Sequence, residues 1–447
     1  MPAMTPDLEC LFSFLRFASV STDPGQAGEV QACAHWLVEL LQGQGLLAET
    51  VATSGHPLVL ARNGHRAGRR SVLIYGHYDV QPVDPLELWE TSPFEPVLKG
   101  GKIFARGATD NKGQMMAHVL GVGKLLAAEP DLPLNLTLLF EGEEEVGSQS
   151  LHQYLKEKKE ELACDVVVVS DTGMIAPGVP TMGYGLRGIT ALEGRVRGPA
   201  RDVHSGVYGG AIANPATVAA RLLASLHDKE GRVAVDGFYD EVQPLHDWER
   251  ALWDQLPDGD QEVREATGVS ELFGESGFSS YERLWARPTL EVNGLGGGYQ
   301  GPGSKTIVPA EAFFKLSARL VPNQSPDEIF GKIQKHLEAN CPGGVDLHLE
   351  QGHGGQPYLG DPQSEYGKAA QEALGRVFGK EPMLIREGGS IPIIQAFQEE
   401  LGADSLMLGL ALPDAQIHSP NESFHLENFE KGMQLSQEVL RGLAALP

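Results

Sequence analysis

Basic residues, cysteine and long apolar runs are all scarce in this 447-residue chain. Lys and Arg together number 35 against 60 Asp and Glu, which leaves a formal charge of −25. That balance excludes nucleic acid or an anionic membrane as the natural partner, because both demand a basic footprint. It is compatible with metal cations. The cysteines, Cys10, Cys33, Cys164 and Cys341, are scattered without paired spacing. They suggest neither a disulfide framework nor a thiolate zinc site, and are expected to stay reduced. Nowhere do about 18 apolar residues run together, as a membrane-spanning helix requires. The opening MPAMTPDLECLFSFLRF has neither the basic start nor the continuous apolar core of a secretory leader. A soluble, cytoplasmic protein is therefore expected. Internal repeats and low-complexity blocks are missing too, so a solenoid or a disordered chain is not indicated.

What is present is a loop-rich globular composition, 41% hydrophobic with 54 glycines along the length. The chain exceeds the size at which single cores stop growing, which predicts two domains. Its first half alternates amphipathic helical stretches with SVLIYGHYDV, LNLTLLFEGEE and CDVVVVSDT. These short, nearly continuous apolar runs are the pattern of strands covered on both faces by helices, an α/β layered domain. After residue 183 the texture changes. YGLRGITALEGRVRG and EAFFKLSARLVP read as strands, each followed by a helical stretch. The second, SPDEIFGKIQKHLEAN, carries a capping-box pattern from Ser325 to Glu328 with Pro326 in the first turn. A small α+β domain inserted into a larger α/β one is predicted, with 1–182 and 354–447 forming the larger domain and 183–353 the insert. The stretch from about 236 to 290 is irregular, acidic and Trp-containing, and its pattern assigns no element.

The segment LLFEGEEEVGSQS places Glu141, Glu143, Glu144 and Glu145 directly after a buried run. Like charges 4 Å apart repel by about 1 kcal/mol in water and by about 4 kcal/mol at a protein surface. A cation or open water must compensate. In YGHYDVQP, His77 and Asp79 are two apart at a strand end and point to one side, which suits a ligand and the carboxylate that orients it. RGATDNKGQ offers Asp110 in a Gly-flanked loop before a helix, where capping is the ordinary use. Asp171 follows VVVVS, and His418 stands in LPDAQIHSPNESF. Five successive α/β elements thus deliver His, Asp or Glu where open α/β sheets build their sites. Histidine and carboxylate without cysteine suit zinc or a similar borderline ion. Two ions about 3.5–4 Å apart, sharing one carboxylate, would use this many acids and leave a glutamate free as base. Spacing alone leaves Glu143, Glu144 and Glu145 all open for that role.

At these residues the chain resembles the dinuclear zinc metallopeptidase and amidohydrolase family, and within it the carnosinase-like cytosolic dipeptidases. The resemblance covers essentially the whole chain through YGHYDVQP, RGATDNKGQ, EGEEEVGS, VVVVSDT, DVHSGVYGG, LSARLVPNQ, GHGGQP, REGGSIP and HSPNE. It implies a three-layer zinc-peptidase-like catalytic domain with an inserted α+β lid and dimerisation domain. It further implies that Asp110 bridges two metals, with His77 and Asp171 on one and Glu145 and His418 on the other. Glu144 would be the general base, Asp79 would orient His77, and the Asp110–Asn111 bond would be cis. From the insert, His204 would cross a homodimer interface to polarise the scissile carbonyl. Thr306, Arg319, His353 and Ser390 would hold the substrate's carboxylate. The implied activity is dipeptide hydrolysis by a metal-activated water, with zinc as the metal and manganese or cobalt as alternatives. An N-acyl amino acid amidohydrolase with the same machinery, or a silent binding module on the same fold, are the competing readings. Asp171, where several deacylating relatives carry Glu, favours the dipeptidase. Pro420 beside His418 departs from the family pattern.

Overall fold

A computed structural model describes residues 4–389 and 391–447, so that Ser390 lies outside the described residues. The chain divides into two compact units. The first comprises 1–184, 360–385 and 392–447. The second comprises 185–359 together with the short excursion 386–391.

The first unit is built on a mixed sheet in the order Leu47–Val51, Leu58–Arg62, Leu134–Glu141, Arg70–His77, Val166–Val169, Asp404–Gly409 and Thr181–Leu186. The central four strands, from Leu134–Glu141 to Asp404–Gly409, run parallel. Those flanking them are antiparallel. Every residue of Leu134–Glu141 and Val166–Val169 is buried, which is why these runs show no apolar–polar alternation. Successive strand residues point to opposite faces. Tyr75 meets Phe397 edge to face at 5.3 Å. At Gly76 a Cβ would fall 2.7 Å from Met115 Cγ of the helix Lys112–Ala128. Helical segments therefore cover both faces of the strand, and the unit is three-layered. The closing helix Leu426–Ala445 packs on Lys112–Ala128 and on Glu365–Phe378.

The second unit is α+β. Its antiparallel sheet runs Thr289–Gly297, Glu311–Leu320, Gly188–Arg197, Asp346–Gly355. Along Glu311–Leu320, Ala312, Phe314, Leu316, Ala318 and Leu320 are buried, while Glu311, Phe313 and Lys315 are exposed. The buried set meets Ala219, Leu222, Ile329, Ile333 and Leu337 of the helices Pro215–Ala224 and Pro326–Asn340. The capping box expected at Ser325 does not form. Its side chain makes no capping hydrogen bond, and Pro326, already set near helical φ, opens the turn instead. The stretch left unassigned contains the helices Asp247–Trp253, Gly259–Thr267 and Ser280–Trp285. An aromatic cluster joins the outer two, with Trp253 edge-on to Trp285 at 5.2 Å and Tyr281 stacked on Trp285 at 4.5 Å. Among the described residues no helix is long and apolar enough to cross a membrane.

Candidate metal centre

The parallel strands of the first unit all deliver their C-terminal ends to one edge, and ionisable residues stand there. His77 is the last residue of its strand and is buried. Asp171 follows Val166–Val169 after Ser170. Glu144 and Glu145 sit in the single turn Glu144–Val146 that follows Leu134–Glu141. His418 comes from the loop after Asp404–Gly409. Asp110 precedes the helix Lys112–Ala128, and its bond to Asn111 is cis. Asn111, not Asp110, occupies the cap position, so the ordinary capping use of Asp110 does not apply.

These side chains form two groups that share Asp110. His77, Asp110 and Asp171 make one, and Asp110, Glu145 and His418 the other, with the ligand atoms of each group within 4.8 Å of one another. His77 Nε2 lies 3.1 Å from Asp110 Oδ1 and 3.7 Å from Asp171 Oδ1. His418 Nε2 lies 2.9 Å from Asp110 Oδ2 and 3.4 Å from Glu145 Oε2. The two oxygens of Asp110 thus face different histidines. Glu144 belongs to neither group, and Glu143 is turned away, with its carboxylate accepting from the N–H groups of His56 and Ser150.

The supporting bonds explain why the acids converge. Asp79 receives the Glu144 and Glu145 N–H groups on its two oxygens, at 3.3 and 3.1 Å, and its Oδ1 is 3.3 Å from His77 Nδ1. The Asp79 carboxylate therefore fixes the glutamate turn, and its backbone carbonyl, 3.1 Å from His77 Nδ1, holds together with it the ring that presents Nε2. Asn111 Nδ2 donates to Ser170 O at 2.6 Å and to Asp171 Oδ1 at 2.7 Å. Gln81 Nε2 donates to Glu145 Oε2 at 2.7 Å. Glu422, fully buried, accepts from Arg106 Nη1 and from the N–H groups of Gly107, Thr109 and Asp110 at 2.8–3.0 Å. It ties the Asp110 loop to the loop that carries His418. His418 itself has φ +58, and Asn421, beyond Pro420, anchors the loop through Leu88 O and Glu90 N–H. Asn111, Gln81 and Glu422 all lie inside blocks singled out by sequence, yet nothing in their residue types marks them as supports.

The electrostatics describe a centre short of positive charge. Burial, with Asp171, Glu145 and Asp110 adding to it, drives Glu144 well above the usual carboxylate range, against the pull of His77. Burial and the neighbouring Asp110 likewise raise Asp171. Hydrogen bonds to Asp110 and Glu145 push His418 up to about 10. Burial opposes a charge on His77, but Asp171, Asp110 and Asp79 outweigh it and raise that ring as well. Protons collect where cations are wanted. Glu145 Oε1 is buried with no hydrogen-bond partner among the described residues. Two imidazoles, three carboxylates and an orphaned carboxylate oxygen fit a pair of borderline divalent ions, because their ligand atoms are N and O donors without thiolate.

The residues expected from the insert lie in the second unit. His204 and Thr306 are drawn together by the pairing of Val203–His204 with Ile307–Val308 and by the Ser205 N–H bond to Thr306 O at 3.0 Å. Both are exposed. His204 Nδ1 accepts from Gly206 N–H at 2.9 Å, so the neutral ring carries its proton on Nε2 and offers a donor there. Arg319 pairs with Ile189 across the sheet, and Gly355 pairs with the same residue from the other side. Arg319 and the bulge containing His353 therefore share one end of that sheet. Arg187, which sequence reasoning passed over, lies just before the strand Gly188–Arg197, whose Ile189 pairs with Arg319. Burial, then the Arg319 charge, lowers it to about 10.

Residues 73–442 match the model of peptidase family M20/M25/M40. A Cys-Gly metallodipeptidase of Saccharomyces cerevisiae is 33% identical over 400 residues, spanning 88% of this chain and 83% of that protein. The Beta-Ala-His dipeptidase of Homo sapiens is 33% identical over 395 residues, 87% of this chain and 78% of the other. The crystal structure of an M20 family metallo-carboxypeptidase from Sulfolobus solfataricus superposes with a TM-score of 0.86 at 33% identity, covering 99% of this chain and all of that one (100%).

Removing Glu422 would strand Arg106, only 1% exposed, without its counter-charge. Breaking a buried pair in this way costs about 3–5 kcal/mol. Glu422→Ala is expected to lose that much in denaturant unfolding of the metal-free protein, and a loss below about 1 kcal/mol would show that the two loops are tied elsewhere.

Proposed function

The chain belongs to peptidase family M20/M25/M40, and we propose that it hydrolyses the amide bond of dipeptides at a dinuclear centre held by His77, Asp110, Glu145, Asp171 and His418. The observation that carries this reading is the pair of ligand groups sharing Asp110, with Glu144 beside them and in neither. The names of the relatives, two of them dipeptidases at 33% identity, support the substrate class. The bound ions, zinc by the chemistry of the donors, would supply Lewis acidity and make a water molecule acidic near neutral pH. Glu144 takes the proton of the attacking water and returns it to the leaving amine, a task open to it because it is the one acid of the glutamate turn in neither ligand group. Asp79 keeps the His77 ring turned so that Nε2 faces Asp110 and Asp171.

Recognition is assigned to the second unit. Arg319 binds the substrate's terminal carboxylate through its planar fork, with His353, Thr306 and Ser390 as further contacts. His204 donates from Nε2 to the carbonyl oxygen as negative charge develops there. By its family resemblance His204 serves the neighbouring subunit of a homodimer. A second reading, removal of single residues from the C-terminus of longer peptides, is favoured by the likeness to the Sulfolobus metallo-carboxypeptidase. Both reactions need a free carboxylate.

A panel of dipeptides, their C-terminal amides, tripeptides and N-acyl amino acids separates these readings. Free dipeptides are expected to be cleaved and amides and N-acyl amino acids to be poor. Turnover of N-acyl amino acids alone would overturn the dipeptidase assignment. Glu144→Gln should keep its metal while kcat falls at least about 100-fold, the low end for general acid–base catalysis. A near wild-type rate would remove Glu144 from the base's role.

Two-fold assembly is tested by mixing inactive chains. Co-refolded His204→Ala and Glu144→Gln chains should regain about one quarter of wild-type activity, because about half the dimers are hetero and each holds one intact site. A mixture that forms hetero-dimers and stays inactive contradicts a site completed across subunits.

A further inference from the structure

The chain makes one brief excursion late in its course. Residues 386–391, from the block REGGSIP, group with the second unit although the chain on either side groups with the first. Arg386 and Glu387 end the strand Met383–Glu387, which pairs with Thr181–Leu186, and a further hold on the turn that follows comes from the stretch whose pattern assigns no element. Glu249, in the helix Asp247–Trp253, is fully buried, and its Oε1 accepts a close charge-assisted hydrogen bond from Arg386 Nη2. Its Oε2 accepts the His246 N–H at 2.8 Å, which aims the carboxylate. Next along the loop, Glu387 O accepts the Arg187 N–H at 3.2 Å and Gly388 O accepts Arg187 Nε at 3.1 Å. Gly388 also passes so close to the helix Ser280–Trp285 that a Cβ would fall 2.9 Å from Leu284 O. Only glycine fits there.

The loop is therefore gripped from two directions within the second unit. The helices of 247–285 hold it through Glu249 and the Leu284 carbonyl. Arg187 holds it at the end of the sheet that carries Arg319. We propose that the 247–285 segment is a specificity device, a clamp in which the Glu249–Arg386 pair positions residues 386–389, the end of the strand Met383–Glu387 and the turn after it, so that the binding site accepts a substrate ending in a free carboxylate. Glu249, Arg386 and Arg187 are positioning residues in this assignment. None of them needs to touch the substrate. The aromatic cluster of Trp253, Tyr281 and Trp285 gives the clamp its stiffness, because it locks the helix bearing Glu249 to the helix bearing Leu284. The assignment rests on the reading of Arg319 as the carboxylate's partner, and its test has one readout that does not.

That readout is hydrogen–deuterium exchange of the peptide covering the loop, measured in the full-length, metal-loaded protein. In Glu249→Gln the loop is expected to exchange at least about tenfold faster, because its buried ion pair is gone. Unchanged exchange would overturn the clamp. The double variant Glu249→Gln/Arg386→Gln leaves no unpaired buried charge and guards against simple misfolding. It should unfold cooperatively like the wild type while its loop still exchanges faster, and a loop as protected as in the wild type would again overturn the clamp. The second readout is kinetic. In both variants KM for a free dipeptide should rise about tenfold or more, with a much smaller change in kcat. KM for the C-terminal amide should move by less than about threefold. A loop that loosens while dipeptide KM stays put would overturn the specificity role. A wild type that treats dipeptide and amide alike would defeat the reading of Arg319, and exchange would still decide whether the clamp exists.

Discussion

Like-charge repulsion at one edge of a parallel sheet is the constraint on which the first unit depends. Asp79, Asp110, Glu144, Glu145 and Asp171 converge there within a few ångströms of His77 and His418. At the effective dielectric of a protein each close pair of charges costs about 4 kcal/mol at 4 Å. Backbone N–H donors answer part of that cost for Asp79 and Glu422, and amide side chains answer part for Asp171 and Glu145. The rest falls to protons or to metal. Raised proton affinities at Glu144, Asp171, His77 and His418 are the mark of that crowding of negative charge. In the proposed function the carboxylate left over when two ions are bound, Glu144, is the one that takes the proton.

Much of the architecture was legible because burial on both faces leaves a plain mark. Runs such as VVVVS and LNLTLLF can be little other than central strands, and an ionisable residue at the end of such a run has few uses. His77, Asp171 and the glutamate cluster could be picked out on that basis, Asp110 and His418 only as polar residues of neighbouring loops. The choice of Glu144 as base and of Glu145 as ligand within that cluster could not. It came from family resemblance, and the geometry adds that Glu143 bonds to His56 and Ser150 while Glu145 faces His418.

What stayed illegible has physical causes as well. Glu422 and Asn111 act through buried hydrogen bonds to backbone and carboxylate, and a polar residue in a turn looks the same whether or not it has such partners. The capping pattern at Ser325 is a case where local chemistry allowed a bond that the fold does not make. The helices within 247–285 are 7, 9 and 6 residues long, too short for a periodic apolar stripe to emerge. Their order comes instead from tertiary contacts, aromatic packing and the Glu249–Arg386 pair, which join residues far apart in the chain.

Divalent ions, two for each chain, are proposed to balance the acid cluster through a shared Asp110. Titrating metal-free protein with zinc, and separately with manganese, while counting bound ions by elemental analysis tests this most directly. Two ions per chain at saturation, and the loss of both in Asp110→Ala, are expected. Saturation at one ion or none, or an Asp110→Ala protein that still holds two, would contradict it.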